Sequence, residues 1–247
     1  MGAPGGLSMV TLAQARQNSL LAALDVADAE RWLRQLEAVE LPLGAVLHEP
    51  RAPIEYVYFP ATAIISMLCV LENGASAEIA VVGMEGIVGI SAVMSGLASV
   101  DRAVVQRAGQ GFRLRARVLQ DEFGRIESVR RPMLRFTQAL LAQTSQTAVC
   151  NRHHTLDQQL CRWILMSLDR LSGDELAVTQ ELIANMLGVR REGVTEAAIR
   201  LQAAGLIRYS RGRISVLNRP GLEQRACGCY AVVRSEYSRL LPVRSAH

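Results

Sequence analysis

Apolar positions along the 247-residue chain fall into stretches of different period. Over residues 14–39, Leu20, Leu21, Leu24, Trp32, Leu33 and Leu36 recur at a helical spacing, which predicts one or two short helices. Over 43–118 that period gives way to short runs rich in β-branched and aromatic residues, at 56–59, 63–68, 78–82 and 103–106. Turn residues part them, among them Asn73-Gly74, a strong hairpin signal. Short strands at even spacing predict a small antiparallel barrel or jelly roll. The helical period returns over 132–153, opening on Pro132, which suits a first turn. Leu134, Leu141 and Ala148, with Leu140, Thr144 and Thr147 beside them, form a seam along which two such helices can pair in parallel. A second helix is expected over 156–171, a connector at Ser172-Gly173-Asp174-Glu175, and a last helix over 222–241.

The segment 180–201, QELIANMLGVRREGVTEAAIRL, is the most informative. It predicts two short amphipathic helices joined by a tight turn at Leu187-Gly188-Val189. Ala184 falls where the helices cross, so that only a small side chain fits, and Gly188 falls where positive φ is needed. Ile183, Leu187, Val189, Val194 and Ala197 supply the apolar contacts. This is the helix-turn-helix arrangement, whose second helix enters the DNA major groove. A plain helical hairpin is the alternative, and the residues directly C-terminal to the segment argue against it. Residues 206–210 and 213–217 predict two strands joined at Arg211-Gly212, which makes the unit a winged helix. The second helix would present Arg190, Arg191, Glu192, Thr195, Glu196 and Arg200 to DNA. Arg211 and Arg213 at the wing tip would meet the phosphate backbone.

Charge agrees with that reading. Every one of the 27 basic residues is Arg, which fits a coding bias more than a chemical need. Residues 1–150 carry 13 Arg against 14 acidic residues, and 151–247 carry 14 against 9, so the net +4 comes from the winged-helix half. A polyanionic partner requires that placement. Half the residues are hydrophobic, enough for two globular domains. No apolar run approaches a membrane span, and the opening MGAPGGLSMVTLAQ lacks the basic segment and apolar core of a secretory leader. A cytoplasmic location away from the membrane is therefore expected.

Candidate chemistry is sparse. Cys69, Cys150, Cys161, Cys227 and Cys229 are an odd count, which argues against a disulfide framework. Cys227-Gly228-Cys229 is too close a pair for a usual zinc site, and no second pair has ligand spacing. The cysteines are expected as small packing residues and no metal set is expected, a redox or metal role being the lesser alternative. His153 and His154 end the long helix, where their charge suits its dipole, but adjacent helical side chains diverge by about 100° and do not readily share a metal. His48 and His247 stand alone. Gly83-Met84-Glu85-Gly86-Ile87-Val88-Gly89 lacks dinucleotide-loop and P-loop spacing, and predicts a backbone turn against an anionic ligand or a neighbouring strand. There are no paired carboxylates and no nucleophile–base arrangement. Glu78 and Glu85 are expected at turns or on the surface, and an enzyme is not indicated.

The order of parts resembles the CRP/FNR family of bacterial transcription regulators over nearly the whole chain. The family's recognition helix begins Gly-x-Ser-Arg-Glu-x-Val-x-Arg. Here Gly188-Val189-Arg190-Arg191-Glu192-Gly193-Val194-Thr195-Glu196 matches it, with Arg190 replacing the Ser and Glu196 the last Arg. The resemblance implies an α+β fold in three parts. An N-terminal antiparallel β-roll or jelly roll of the cyclic-nucleotide-binding type would cover 1–129, a dimerisation helix 130–155, and a C-terminal winged helix-turn-helix 156–247. It implies that Arg191 and Glu192 contact bases. An effector pocket would involve Gly86, Gly89, Ile90, Ser91, Arg102 and Thr144. Cyclic-AMP-binding members carry Gly-Glu-Leu and Arg-Ser/Thr-Ala, where this chain has Gly89-Ile90-Ser91 and Asp101-Arg102-Ala103. Ile90 cannot accept a ribose hydroxyl, so the fold is expected without ordinary cyclic-AMP binding and without a cofactor. The partners implied are a palindromic DNA duplex, a second copy through helix 132–153, and RNA polymerase. The other reading is a ligand-binding module that regulates a partner protein and keeps a vestigial winged helix.

Overall fold

A computed structural model of the chain describes residues 10–94, 98–171 and 173–241. The leader reading of residues 1–9, Ser172 of the connector and His247 lie outside the described residues. Three short helices open the chain: α1 (Leu12–Ala15), α2 (Ser19–Ala22) and α3 (Val26–Leu33). Then come β1 (Glu37–Leu41), β2 (Val46–His48), β3 (Tyr56–Pro60), β4 (Ile64–Val70), β5 (Ser76–Val82), α4 (Ser91–Met94), β6 (Arg102–Arg107), β7 (Gly109–Arg115) and α5 (Ala116–Phe123). A long helix, α6 (Glu127–His153), leads to α7 (Leu156–Leu168), β8 (Glu175–Ala177), α8 (Gln180–Leu187), α9 (Arg191–Ala203), β9 (Ile207–Ser210), β10 (Arg213–Val216), α10 (Arg219–Arg225) and α11 (Gly228–Leu240).

The N-terminal strands form two antiparallel sheets, ordered β1-β7-β3 and β2-β6-β4-β5. Trp32, Phe59, Ile65, Leu114 and Leu119 are buried in the roll they form, together with Met133 and Phe136 from the start of α6. The α+β roll, long helix and winged helix-turn-helix stand in the expected order.

Local expectations differ in several places. Residues 37–39, taken with the N-terminal helices, belong to strand β1, which pairs Leu41 with Gly109 and Glu37 with Arg113. Strands β2, β7 and β8 went unpredicted. In β7 the alternation Phe112/Leu114 inward against Arg113/Arg115 outward is diluted by Gly109 and Gly111, yet a Cβ at 111 would sit 2.9 Å from the Phe59 carbonyl oxygen. Helix α6 begins at Glu127, ahead of Pro132, which lies inside it. A proline there forfeits one backbone bond, and the buried Val129, Met133 and Phe136 hold the turn around it. The single helix expected over 222–241 is two, parted at Ala226-Cys227, both in extended conformation.

The glycine-rich turn lies against a neighbouring strand, one of the two surroundings expected for it. Val88 and Tyr58 exchange backbone hydrogen bonds of 2.8 and 3.0 Å, and a Cβ on Gly86 would lie 2.3 Å from the Phe136 ring. Asn73-Gly74 does turn the β4–β5 hairpin, with Gly74 at φ +83°.

Ile64, Leu68 and Val81 face away from the roll's core and join a second cluster with Leu160, Ile164, Met186, Leu187 and Leu201. The C-terminal domain is thereby seated on the outer face of the four-stranded sheet. The α8–α9 turn touches β5, where a Cβ at Gly188 would stand 3.3 Å from that of Ala77. Among the described residues no helix is long and apolar enough to cross a membrane.

Candidate nucleic-acid interface

Local chemistry sets the helix-turn-helix. Thr179 caps α8 by accepting from the Leu182 amide at 3.2 Å. Gly188 ends α8 in the left-handed conformation, φ 65°, as its position requires, and its amide donates to the Ala184 carbonyl. Ala184 is buried at the crossing, as are Ile183, Val194 and Ala197. The Thr195 hydroxyl donates to Gln180 Oε1 at 2.7 Å, tying the start of α8 to α9. Arg190 stands at the N-cap of α9 without a side-chain cap bond, since a guanidinium has no acceptor to offer the helix amides.

The wing is held to this unit by Tyr209. Its amide donates to Gln202 Oε1 at 2.8 Å and its hydroxyl to the Val178 carbonyl at 2.9 Å. Arg211 and Gly212 both take positive φ, 49° and 72°, the geometry of a two-residue type I′ turn. β8 adds a third strand to the wing, in the order β8-β10-β9.

Between the start of α8, α9 and the wing lies a groove of about 460 Å³, lined by Thr179, Gln180, Arg191, Ile199, Tyr209 and Arg211 among others. Arg190, Arg191, Glu192 and Glu196 are exposed along α9, and Arg211 and Arg213 are exposed at the wing. Arg213 has Glu175 at 3.9 Å. Arg200 points elsewhere. It clamps Asp157 of α7 through bonds of 2.7 and 3.0 Å, and Asp157 also accepts from Arg225 at 3.2 Å. The Arg200 hydrogen bond holds the Asp157 carboxyl below the usual carboxylate range. Of the positions expected to face DNA, Arg200 is thus engaged within the domain and Thr195 is turned toward α8. Gln180, Ile199 and Tyr209 line the groove without having been singled out. Only the Thr179 cap ahead of an apolar run hinted at the first of them.

The residues expected around an effector have other engagements. Gly86 is pressed on Phe136 and Gly89 takes φ +91° beside Ile54 and Val57. Ile90 is buried in the roll's core. Arg102 pairs with Glu49 at 2.7 Å on an exposed edge, and the Thr144 hydroxyl donates to the Leu140 carbonyl within α6. A cavity of about 340 Å³ lies between the 83–86 turn, α7 and α11, beside the 2.6 Å Arg170–Glu85 ion pair.

One carboxylate expected at a turn or on the surface is not there. Glu85 does stand in the 83–86 turn, in that ion pair, whereas Glu78 is buried where the sheet meets α7. Burial pushes the Glu78 carboxyl up to about 7, against the opposing pull of the Ser66 hydroxyl and of Arg162 and Arg170. His48, too, is buried, 3.1 Å from Asp101.

Residues 158–225 match the Crp-like helix-turn-helix domain family. No curated protein matches the sequence. Among solved structures the chain is similar to a transcriptional regulator of the Crp/Fnr family from Eubacterium rectale, at 17% identity and TM-score 0.66 over 85% of this chain and 98% of that one. It is similar to FixK2 from Bradyrhizobium japonicum at 18% identity and TM-score 0.65, over 78% and 98% of the two chains. A third likeness is to CLP of Xanthomonas campestris, described as a c-di-GMP-responsive global regulator, at 18% identity and TM-score 0.60 over 78% and 99%.

Proposed function

We propose that this chain, with a Crp-like helix-turn-helix domain on the fold of the Crp/Fnr regulators, is a homodimeric, sequence-specific DNA-binding transcription regulator that does not answer to ordinary cyclic AMP. The observation that carries the reading is the groove between α9 and the wing. Arg191 of the recognition helix and Arg211 of the wing line it, and their neighbours Arg190, Glu192 and Arg213 are exposed. A guanidinium at Arg191 suits the O6/N7 edge of guanine, a carboxylate at Glu192 suits the cytosine amine, and the wing arginines suit phosphates. RNA polymerase would be met at the promoters such a protein serves.

The dimer rests on α6. Leu134 and Leu141, exposed at 48% and 57%, stand seven residues apart, and the exposed Ala148 follows at the same spacing. A heptad-spaced apolar stripe on a long helix favours pairing with a second copy. Thr147 turns inward, accepting from Arg162 at 2.6 Å, so the seam narrows to the Leu134, Leu141 and Ala148 row. Pairing in parallel would set two reading heads about a two-fold axis, as a palindrome requires. The reading against cyclic AMP rests on Ile90, whose apolar side chain is spent on the core, and on Arg102, which already holds Glu49.

The test is selection of bound sites from a random duplex library at about 150 mM salt, where non-specific phosphate binding is weak. An enriched palindrome with half-sites about one helical turn apart is expected, unchanged by added cyclic AMP. Enrichment of no sequence, with or without cell metabolites, would refute the reading.

A further inference from the structure

Four side chains able to ligate a metal meet where α6 ends and α11 begins. Cys150 lies in the last turn of α6 and His154 caps that helix; Cys227 caps α11 and Cys229 stands in its first turn. Their ligand atoms all lie within 4.8 Å of one another. Cys150 Sγ and Cys227 Sγ, 77 residues apart in sequence, are 3.4 Å apart, and Cys229 Sγ is 3.6 Å from His154 Nδ1. The three sulfurs are buried in a cluster of their own, separate from both hydrophobic cores.

The dimensions suit one ion. A tetrahedral centre with metal–sulfur bonds near 2.3 Å and metal–nitrogen bonds near 2.0 Å sets neighbouring ligand atoms roughly 3.5–3.8 Å apart. A disulfide needs about 2.05 Å between sulfurs. Iron–sulfur clusters are generally held by four thiolates, whereas this group offers three thiolates and an imidazole. Three thiolates around a divalent cation leave one net negative charge. Arg162, buried alongside, supplies the opposite charge: its field reaches both Cys150 and Cys229, and its Nε has no partner among the described residues. The Gln159 amide donates to the carbonyls of His154 at 2.9 Å and Cys150 at 3.4 Å, bracing the helix end that carries two of the ligands. Outer-sphere bracing of that kind is usual at metal centres.

We propose that Cys150, His154, Cys227 and Cys229 bind one zinc-class divalent ion, fastening α11 to the joint between α6 and α7. Sequence spacing hides the set, because it joins the end of α6 to the start of α11 and depends on the helix break at Ala226-Cys227. The expectation that these cysteines merely fill space, drawn from their spacing, gives way to this proposal. If the chain reads DNA as inferred above, the ion also fixes the angle between the paired helices and the reading heads. That consequence rests on the DNA-binding reading, whereas the site does not.

The experiment is a Co²⁺ titration of full-length, metal-free, reduced wild-type protein without DNA, followed by visible absorption, with elemental analysis of the protein as isolated. One equivalent per chain is expected, with tetrahedral d–d bands and thiolate-to-cobalt charge transfer, and displacement by Zn²⁺. Cys227→Ser and Cys229→Ser should each weaken cobalt binding by more than the roughly 10–100-fold that losing an outer-sphere partner costs. Cys69→Ser, at an exposed cysteine away from the site, should change nothing. Wild-type protein that gives no thiolate–cobalt band would overturn the proposal whatever the variants do, and so would iron with acid-labile sulfide in the isolated protein. DNA affinity with and without the ion is a separate reading: its failure to change bears on the regulator and leaves the site standing.

Discussion

Glu78 makes the surface between the roll and the DNA-binding domain sensitive to pH. Its carboxyl lies 2.5 Å from Ser66 Oγ, and Ser66 Oγ lies 3.0 Å from Gln106 Oε1. Ser66 has one hydroxyl proton and two acceptors in reach. Protonating Glu78 resolves the conflict: the carboxyl donates to Ser66, Ser66 donates to Gln106, and Gln106 Nε2 donates to Ser167 of α7 at 3.4 Å. The folded carboxyl titrates near 7, against 4.5 as its ordinary value. The folded state therefore keeps a proton that the unfolded chain releases as pH rises from 4.5. The resulting stabilisation is fully present below 4.5, declines through the interval, and is gone above 7, where folding must bury the charge. Each pH unit is worth about 1.4 kcal/mol, so the swing is roughly 3 kcal/mol. Glu78→Gln removes the titration and keeps a donor to Ser66. Urea melts of wild type and variant, compared pairwise at pH 5 and pH 8 so that other groups cancel, should show the variant gaining about 2–3 kcal/mol on wild type across that range. A gap between the two proteins that stays constant with pH, or a variant that loses ground at pH 8, would refute the reasoning.

Arg191→Ala should relax base preference at one position of each half-site and cost on the order of 1–3 kcal/mol against the best duplex, measured by competition with mismatched duplexes. Arg211→Asn, with a side chain that tolerates the positive φ found there, should weaken every duplex alike and lower the salt dependence of binding by about one unit, as titrations at several ionic strengths would reveal. Leu141→Glu, placing a charge in the exposed stripe of α6, should leave only monomer in sedimentation velocity where the wild type is expected to dimerise. It should also abolish preference for a palindrome over a single half-site.

The helix-turn-helix was legible because its constraints are local. The small residue at Ala184 and the left-handed Gly188 stand one helical turn apart, and each is dictated by local geometry that any environment must respect. The roll was legible as a class from its turn residues, but β1 and β7 were not, since glutamates in one and glycines in the other blur the alternation that partner strands restore. Pro132 was over-read as a start, because its penalty of one backbone bond is smaller than the burial gained on both sides of it. The exposed arginines beside the groove between α9 and the wing followed from the motif. Arg200's clamp on Asp157, the burial of Glu78 and the gathering of Cys150 with Cys227 did not, because each depends on a partner from a distant element that no local pattern specifies.

Asp157 stands at the second position of α7 and receives Arg200 from α9 and Arg225 from α10. One carboxylate thus rivets three helices, with the wing bound to them through Tyr209. α7, α9 and α10 are therefore expected to shift as one body, so that a displacement of α7 would carry the recognition helix with it.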